Sequence, residues 1–454
     1  MPFNSLAYAL LLSASFAWCR LLPAYAAGLV LASLVFFLAA GPFDTAVFLA
    51  AVALNWLIQI AFPKEHPRPR IFAAALLNIG LIAYFKYKGL LLGQAGQSGS
   101  YLDTALPLGV SFYSLQALAY HVDVARGRHA PARSFAEFFL FKAFFPQVIA
   151  GPIVRAHQLL PQVQRLFAGR RRRHRLLIFG LSLIALGLVK KVVLADSIAP
   201  FVDEIFAAPP GTTAVAWLGA VLFAFQIYFD FSGYSDIAIG SAYLLGIRLP
   251  WNFRTPYLST SPREFWQRWH ITLSTWIRDY LYIPLGGSRG TPVEASLVLL
   301  TTMAVAGLWH GANYTFIVWG ACWGLYILTA RLMHLESVPG MLWWPAHMLI
   351  VVVLWVLFRS PSLGYATHYL ATMFAFTGSP SGHLDGSAPA WQVALGVAGL
   401  FALHWGEAHL QRRPVVGIMR RLEGPVSRGV LVGTAVLLVL LPVSHANPFI
   451  YFRF

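Results

Sequence analysis

Apolar residues fill this chain in runs of membrane-spanning length, separated by short polar loops. A helix needs about 20 apolar residues to cross a bilayer, and fewer when it is short or re-entrant. Such runs fall at roughly 5–19, 23–40, 45–62, 71–92, 104–124, 176–195, 214–229, 233–245, 294–328, 343–358, 391–405 and 429–445. The run 294–328 is too long for one span and predicts a broken pair. From Phe144 to Pro161 an apolar stretch is interrupted by Pro146, Pro152 and Pro161. It predicts a re-entrant segment, because irregular backbone at membrane depth must be buried in protein or line a cavity. Segment 262–285 differs in pattern. Arg263, Glu264, Arg268, His270, Arg278 and Asp279 alternate with Phe265, Trp266, Trp269, Ile271, Leu273, Trp276 and Ile277. A helix of that mixture lies in the interface or lines a polar cleft. The expectation is an all-α polytopic integral membrane protein of about eleven or twelve membrane segments. No period repeats and no soluble insertion stands out, so residues 1–454 read as a single transmembrane domain.

Composition agrees. The chain is 58% hydrophobic and 11% charged, against about 25% charged residues in a soluble domain. The net charge of +16 does not point to nucleic acid, since the basic residues cluster in short loops between apolar runs, where positive-inside topology explains them. Loops 64–70, 126–133, 165–175 and 412–421 are basic and predict the cytoplasmic face. Loops 93–103, 200–213 and 377–390 hold no Lys or Arg and predict the outer face. Both termini then lie on the outer side of the membrane. Lys190 and Lys191 fit poorly, as either inward-facing cations or the sign of a misplaced boundary. Residues 5–19 lack a preceding basic region and read as a retained span rather than a signal peptide. Cys19 and Cys322 form no metal-spacing motif, so neither a disulfide framework nor a metal site is expected.

The candidate chemistry lies in two Trp-His pairs. His270 follows Trp269 in the amphipathic segment, where it is either polar lining or a participant in chemistry. His310 follows Trp309 inside an apolar run, with Asn313 three residues later, a spacing that shares a helix face. His310 is either a packed core histidine, which the close-packing pattern of Gly307 and Gly311 would favour, or a proton-transfer group, the task imidazole suits best near neutral pH. Gly286-Gly287-Ser288-Arg289-Gly290 matches a nucleophile-elbow pattern, but that motif needs a strand-turn-helix setting that is missing here.

Six ordered strings carry a resemblance: P-L-G-V-S-F-Y-S-L-Q-A-L-A-Y-H-V-D-V-A-R-G (107–127), F-P-Q-V-I-A-G-P-I-V-R (145–155), Y-F-D-F-S-G-Y-S-D-I-A-I-G (228–240), N-F-R-T-P-Y (252–257), F-W-Q-R-W-H-I-T-L-S-T-W-I-R-D-Y-L-Y-I-P-L-G-G (265–287) and G-L-W-H-G-A-N (307–313). The chain resembles the membrane-bound O-acyltransferases (MBOAT), in the branch of alginate and cellulose O-acetyltransferase membrane subunits. The likeness is strong over 45–325 and looser over 326–454. It implies a disc of helices around a central tunnel, with His310 catalytic and His270 its companion. Trp309, Asn313, Trp269, Arg268, Asn252 and Tyr257 fall in the same motifs and are expected to line the tunnel. The tail F-I-Y-F-R-F resembles an aromatic motif whose tyrosine accepts the acyl group, which maps that role onto Tyr451. Otherwise the tail is an ordinary aromatic interface anchor.

The implied reaction draws on acetyl-CoA from the cytoplasm, without a metal. His310 acts as general base on an incoming hydroxyl, and His270 or Asn313 steadies the oxyanion. A periplasmic hydrolase-like subunit would hand the acetyl group to an extracellular polysaccharide, and membrane lipid surrounds the whole. Two rivals remain at this point: D-alanyl transfer from a carrier protein, and a non-catalytic scaffold or exporter of a secretion complex.

Overall fold

The computed structural model describes residues 2–63, 65–91, 106–148, 151–169, 177–335, 338–376, 383–384, 388–412 and 429. These residues are helical throughout, apart from irregular connections and a two-residue antiparallel pairing of His383–Leu384 with Ala388–Pro389. Seven described helices are long and apolar enough to cross a membrane, in the segments Pro42–Ala61, Pro67–Leu90, Leu177–Ile205, Thr213–Leu244, Pro292–His310, Tyr314–Leu332 and Gly340–Arg359. Leu6–Leu21 and Tyr25–Leu38 are shorter apolar helices. Side chains such as Leu57, Phe72, Leu76 and Leu297 stand well exposed on these helices, as lipid-facing positions must. The predicted span 429–445 lies outside the described residues, Gly429 excepted.

The chain divides into two compact units that interleave in sequence. Among the described residues, the first comprises 2–189 and 233–251, and the second 190–232 and 252–412. In the first unit, the stretch after helix Phe135–Ala143 is irregular, and Phe144, Phe145 and Val154 are fully buried in protein. That is the setting the re-entrant prediction requires. Regular structure resumes earlier than predicted, at Ala156, so Pro161 sits inside helix Ala156–Phe167. A Cβ on Gly187 would lie 2.5 Å from the Gly233 carbonyl oxygen, and one on Gly240 would lie 2.5 Å from that of Gly180. Helices in lipid gain from such close backbone approach, because lipid tails offer no hydrophobic drive to association. Gly233 therefore packs a helix rather than ending one. The two spans predicted at 214–229 and 233–245 are one helix, Thr213–Leu244.

In the second unit, the predicted broken pair is a helical hairpin, Pro292–His310 and Tyr314–Leu332. Thr291 and Glu294 form a reciprocal cap at its start, with Pro292 in the first turn. Gly307 and Gly320 meet backbone to backbone: a Cβ on either would lie 2.1 Å from a carbonyl oxygen of the other helix. Lys190 and Lys191 lie in a π-helical segment, Val189–Ala195, and both are inward-facing cations. Lys190 pairs with Glu407, which also accepts from the Tyr228 hydroxyl at 2.7 Å. Lys191 lies 2.8 Å from each of Asp196 and Asp230. Buried charge demands such partners.

Candidate active site

The stretch Ser261–Tyr282 is three helical pieces, not the one helix its periodicity predicts. The first, Pro262–Arg268, is capped by Ser261, whose hydroxyl accepts from the Glu264 amide at 3.1 Å. Burial works against the Glu264 carboxylate, but hydrogen bonds from Thr260 and Arg268 outweigh it and hold its pKa below the ordinary value. The chain then turns through His270, at φ 40° and ψ 51°, the left-handed region that few non-glycine residues adopt. Ile271–Ile277 and a π-helical turn, Arg278–Tyr282, follow. The break holds because a neighbouring extended stretch takes up the backbone groups it exposes. Arg254 N donates to Arg268 O at 2.9 Å, and Ile271 N donates to Asn252 O at 2.9 Å. The Asn252 side-chain oxygen also lies 3.1 Å from His270 Nδ1. His270 is fully buried and belongs to none of the seven spanning helices, and burial pushes its pKa down to about 3.

His310 is the last residue of its helix and is 3% exposed. Trp309, Trp319 and Phe358 pack around its ring, with centroids 5.0, 5.2 and 5.2 Å away. Trp309 also stands 6.1 Å from the His270 ring, so one indole separates the two imidazoles. The contacts close into a circuit. From His270 they run through Phe253 (6.4 Å), Trp269 (5.1 Å), Trp355 (4.8 Å) and Trp319 (5.8 Å) back to His310. Within that circuit the indole nitrogens of Trp269, Trp319 and Trp355, and Nε2 of His270, are buried without a hydrogen-bond partner among the described residues. Buried polar atoms are nearly always paired. Four such atoms sit together in this one aromatic wall.

The other expected lining residues divide. Trp309 and Trp269 belong to the circuit. Asn252 is fully buried beside His270 rather than lining an open surface. Tyr257 is buried too, its hydroxyl donating to Ala224 O at 2.5 Å. Arg268 pairs with Glu264 at 2.5 Å. Asn313 does not share a helix face with His310, because the helix ends at His310 and Gly311 is extended. Asn313 instead caps Tyr314–Leu332, accepting from Thr315 N at 3.1 Å and donating to Pro361 O at 2.8 Å. One of its amide hydrogens is committed to Pro361 O, and the shared helix face that suggested an oxyanion role is missing. Tyr451 lies outside the described residues. Gly286, Gly287 and Gly290 all have positive φ in a turn, with no strand beside Ser288.

Three buried histidines escape the sequence reading: His121, 3.2 Å from Asn55 Oδ1, His347 and His404. His347 lies 3.0 Å from Ser259 Oγ and 2.7 Å from the Tyr326 hydroxyl. Ser259 donates its proton to Pro256 O at 2.6 Å, so His347 donates to the serine and this Ser-His pair is structural. His404 stands edge-on to Tyr228 at 4.7 Å and 3.7 Å from the Glu407 carboxylate. Its signal in the sequence is an ionisable pair three residues apart in an apolar run.

Membrane-spanning helices around two buried imidazoles, His310 at the end of one span and His270 at a turn between two short helices, fit an intramembrane enzyme of the group-transfer kind. The chain belongs to the membrane-bound O-acyltransferase family, whose profile matches residues 74–359. It is 39% identical over 348 residues to the probable alginate O-acetylase AlgI of Azotobacter vinelandii, covering 73% of this chain and 68% of that protein. It is 32% identical over 403 residues to a peptidoglycan O-acetyltransferase of Helicobacter pylori, covering 79% and 76%. A teichoic acid D-alanyltransferase of Bacillus subtilis is 26% identical over 225 residues, 47% of this chain and 56% of that one.

Proposed function

We propose that this enzyme moves acetyl groups from acetyl-CoA, on the cytoplasmic side of a bacterial inner membrane, to an extracytoplasmic polysaccharide such as alginate. The observation that carries the reading is the aromatic circuit, which brings the buried His270 and His310 to either side of Trp309. The names of the relatives support acetyl as the group and a polysaccharide as its destination. The likeness to D-alanyltransferases spans less than half of the chain and is weaker.

In the reaction, the oxygen of an acceptor hydroxyl attacks the thioester carbonyl while His310 takes its proton. The carbon–sulfur bond breaks, the acetyl ester remains on the acceptor oxygen, and the proton passes to the departing thiolate. The basic loops at 64–70, 126–133 and 165–175 suit the donor's phosphates, since guanidinium matches phosphate geometry. Tyr451 is the proposed first acceptor, because an aryl ester stays activated for onward transfer. A periplasmic hydrolase-like subunit then carries the acetyl group to the polymer.

The test compares polymer acetylation in cells carrying the natural protein, His310→Ala or Tyr451→Phe, with membrane abundance measured for each. Loss in both at normal abundance supports the whole scheme. Loss in His310→Ala alone keeps the enzyme and makes Tyr451 an interfacial anchor. Normal acetylation in both refutes the catalytic assignment.

A further inference from the structure

Asn252 does more than pack. Its Oδ1 lies 3.3 Å from Thr272 N, 2.9 Å from Thr272 Oγ1 and 3.1 Å from His270 Nδ1. A backbone N–H can only donate, so the amide atom that faces it is the oxygen. An amide oxygen can only accept, so the hydrogen in the third contact belongs to His270 Nδ1. A neutral imidazole carries one N–H. His270 Nε2 is therefore the lone-pair nitrogen, and it is the ring atom left without a partner among the described residues.

The same residue fixes the ring's position. Asn252 O accepts from Ile271 N, and Asn252 Oδ1 accepts from Thr272 N. Helix Ile271–Ile277 begins at His270, whose own side chain supplies no cap, so Asn252 caps it from outside. Phe231, at 4.7 Å, packs edge-on against the imidazole.

We propose that Asn252 is the positioning residue of the site: it holds His270 in the Nδ1–H tautomer, so that Nε2 meets the acyl acceptor as a hydrogen-bond acceptor and not as a donor to an oxyanion. This rests on the reading of His270 as part of the acetyl-transfer site. It reverses the oxyanion role expected for His270, because a nitrogen without hydrogen cannot stabilise negative charge. The nearby ionisable groups are themselves paired. Asp230, next to Phe231, is bound to Lys191, and Arg268, two residues before the ring, is bound to Glu264. His310 stands beyond Trp309.

The experiment measures acetyl transfer from acetyl-CoA across pH 4–9 in membranes containing the full chain, for the natural protein, Asn252→Asp, Asn252→Ala and His270→Gln at matched abundance. Asn252→Asp keeps the acceptor but sets a carboxylate against Nδ1–H, which favours imidazolium. The acid limb of kcat, which lies near pH 3 in the natural protein, should move up into the measured range by about one pH unit or more, with activity above it well over that of Asn252→Ala. Asn252→Ala lacks the acceptor and should lose kcat by roughly tenfold or more, with KM for acetyl-CoA unchanged. An Asp variant with an unmoved acid limb, or with activity lowered equally at every pH, overturns the proposal and leaves Asn252 structural. His270→Gln with normal activity instead sinks the reading of His270 itself. A second readout needs no variant of Asn252: 15N-histidine spectra of the purified protein, with the His270 signal identified by its loss in His270→Gln. Protonated Nδ1 with bare Nε2 is expected, and the opposite tautomer overturns the proposal.

Discussion

Replacing Lys191 by methionine removes one cation from between two carboxylates. The ammonium lies 2.8 Å from both Asp196 and Asp230, and the exposures of the three side chains are 1%, 14% and 4%. Methionine fills a similar volume, so the substitution mainly deletes charge. What remains is a pair of carboxylates poorly reached by water, each repelling the other. Removing one partner from a buried ion pair destabilises by about 3–5 kcal/mol. For a unit of roughly two hundred residues, each kcal/mol lowers Tm by about 2–4 °C, so the expected fall is roughly 6–20 °C. Thermal unfolding of the detergent-purified protein, followed by recovery of the monodisperse peak after heating, measures it. Adding Asp230→Asn to Lys191→Met should restore more than half of the loss, because the two sites are directly coupled. A Lys191→Met protein whose Tm stays within about 2 °C of the natural one refutes the reasoning, since these charges would then not depend on one another.

Gly307→Ala should cost about 1–3 kcal/mol or more and lower membrane abundance, because the new methyl meets Phe316 O at 2.1 Å. Gly364→Ala, with nothing within 4 Å of its Cβ, is the control that should accumulate normally. Stability should fall as pH drops from about 6.5 toward 3. Burial holds folded His270 neutral down to about 3, while the unfolded chain takes up the proton near its ordinary value of 6.5. A Tm-against-pH curve checks this, and His270→Gln should make that fall shallower. Glu264→Gln weakens the bonds from Thr260 N (2.7 Å) and Arg268 (2.5 Å), so it should lower stability by about 1–2 kcal/mol, read by the same melt.

Much of the site was legible because imidazole in apolar sequence is costly and therefore conspicuous. His270 and His310 stood out for that reason, and the structure brings them to either side of Trp309. The helical hairpin at 292–332 was legible from length alone. The break at His270 was not, because the apolar-polar rhythm of 262–285 carries straight through it. What breaks that helix is Asn252, which lies 18 residues earlier and reveals itself only as a hydrogen-bond partner. Asn313 misled for a related reason. Spacing of three implies a shared face only while a helix continues, and Asn313 is itself the cap of the next one. The division predicted between 229 and 233 erred in the opposite sense, because Gly233 packs within one continuous helix. Lys190 looked like a topological exception because Glu407, its partner, is 217 residues away.

The glycine contacts of helix Leu177–Leu188 also set an order of events during synthesis. Gly180 and Gly187 are seated against Gly240 and Gly233, which leave the ribosome 60 and 46 residues later. At about 5–20 residues per second, that face waits roughly 2–12 seconds in lipid before its mate exists. Through that interval the helix has inserted but has nothing to dock on, and its notched surface is open to whichever other helix drifts past. A nascent chain stalled before Gly233 would remain in that orphaned state, so the insertion step most exposed to mispairing and quality-control proteolysis falls at the middle of the chain.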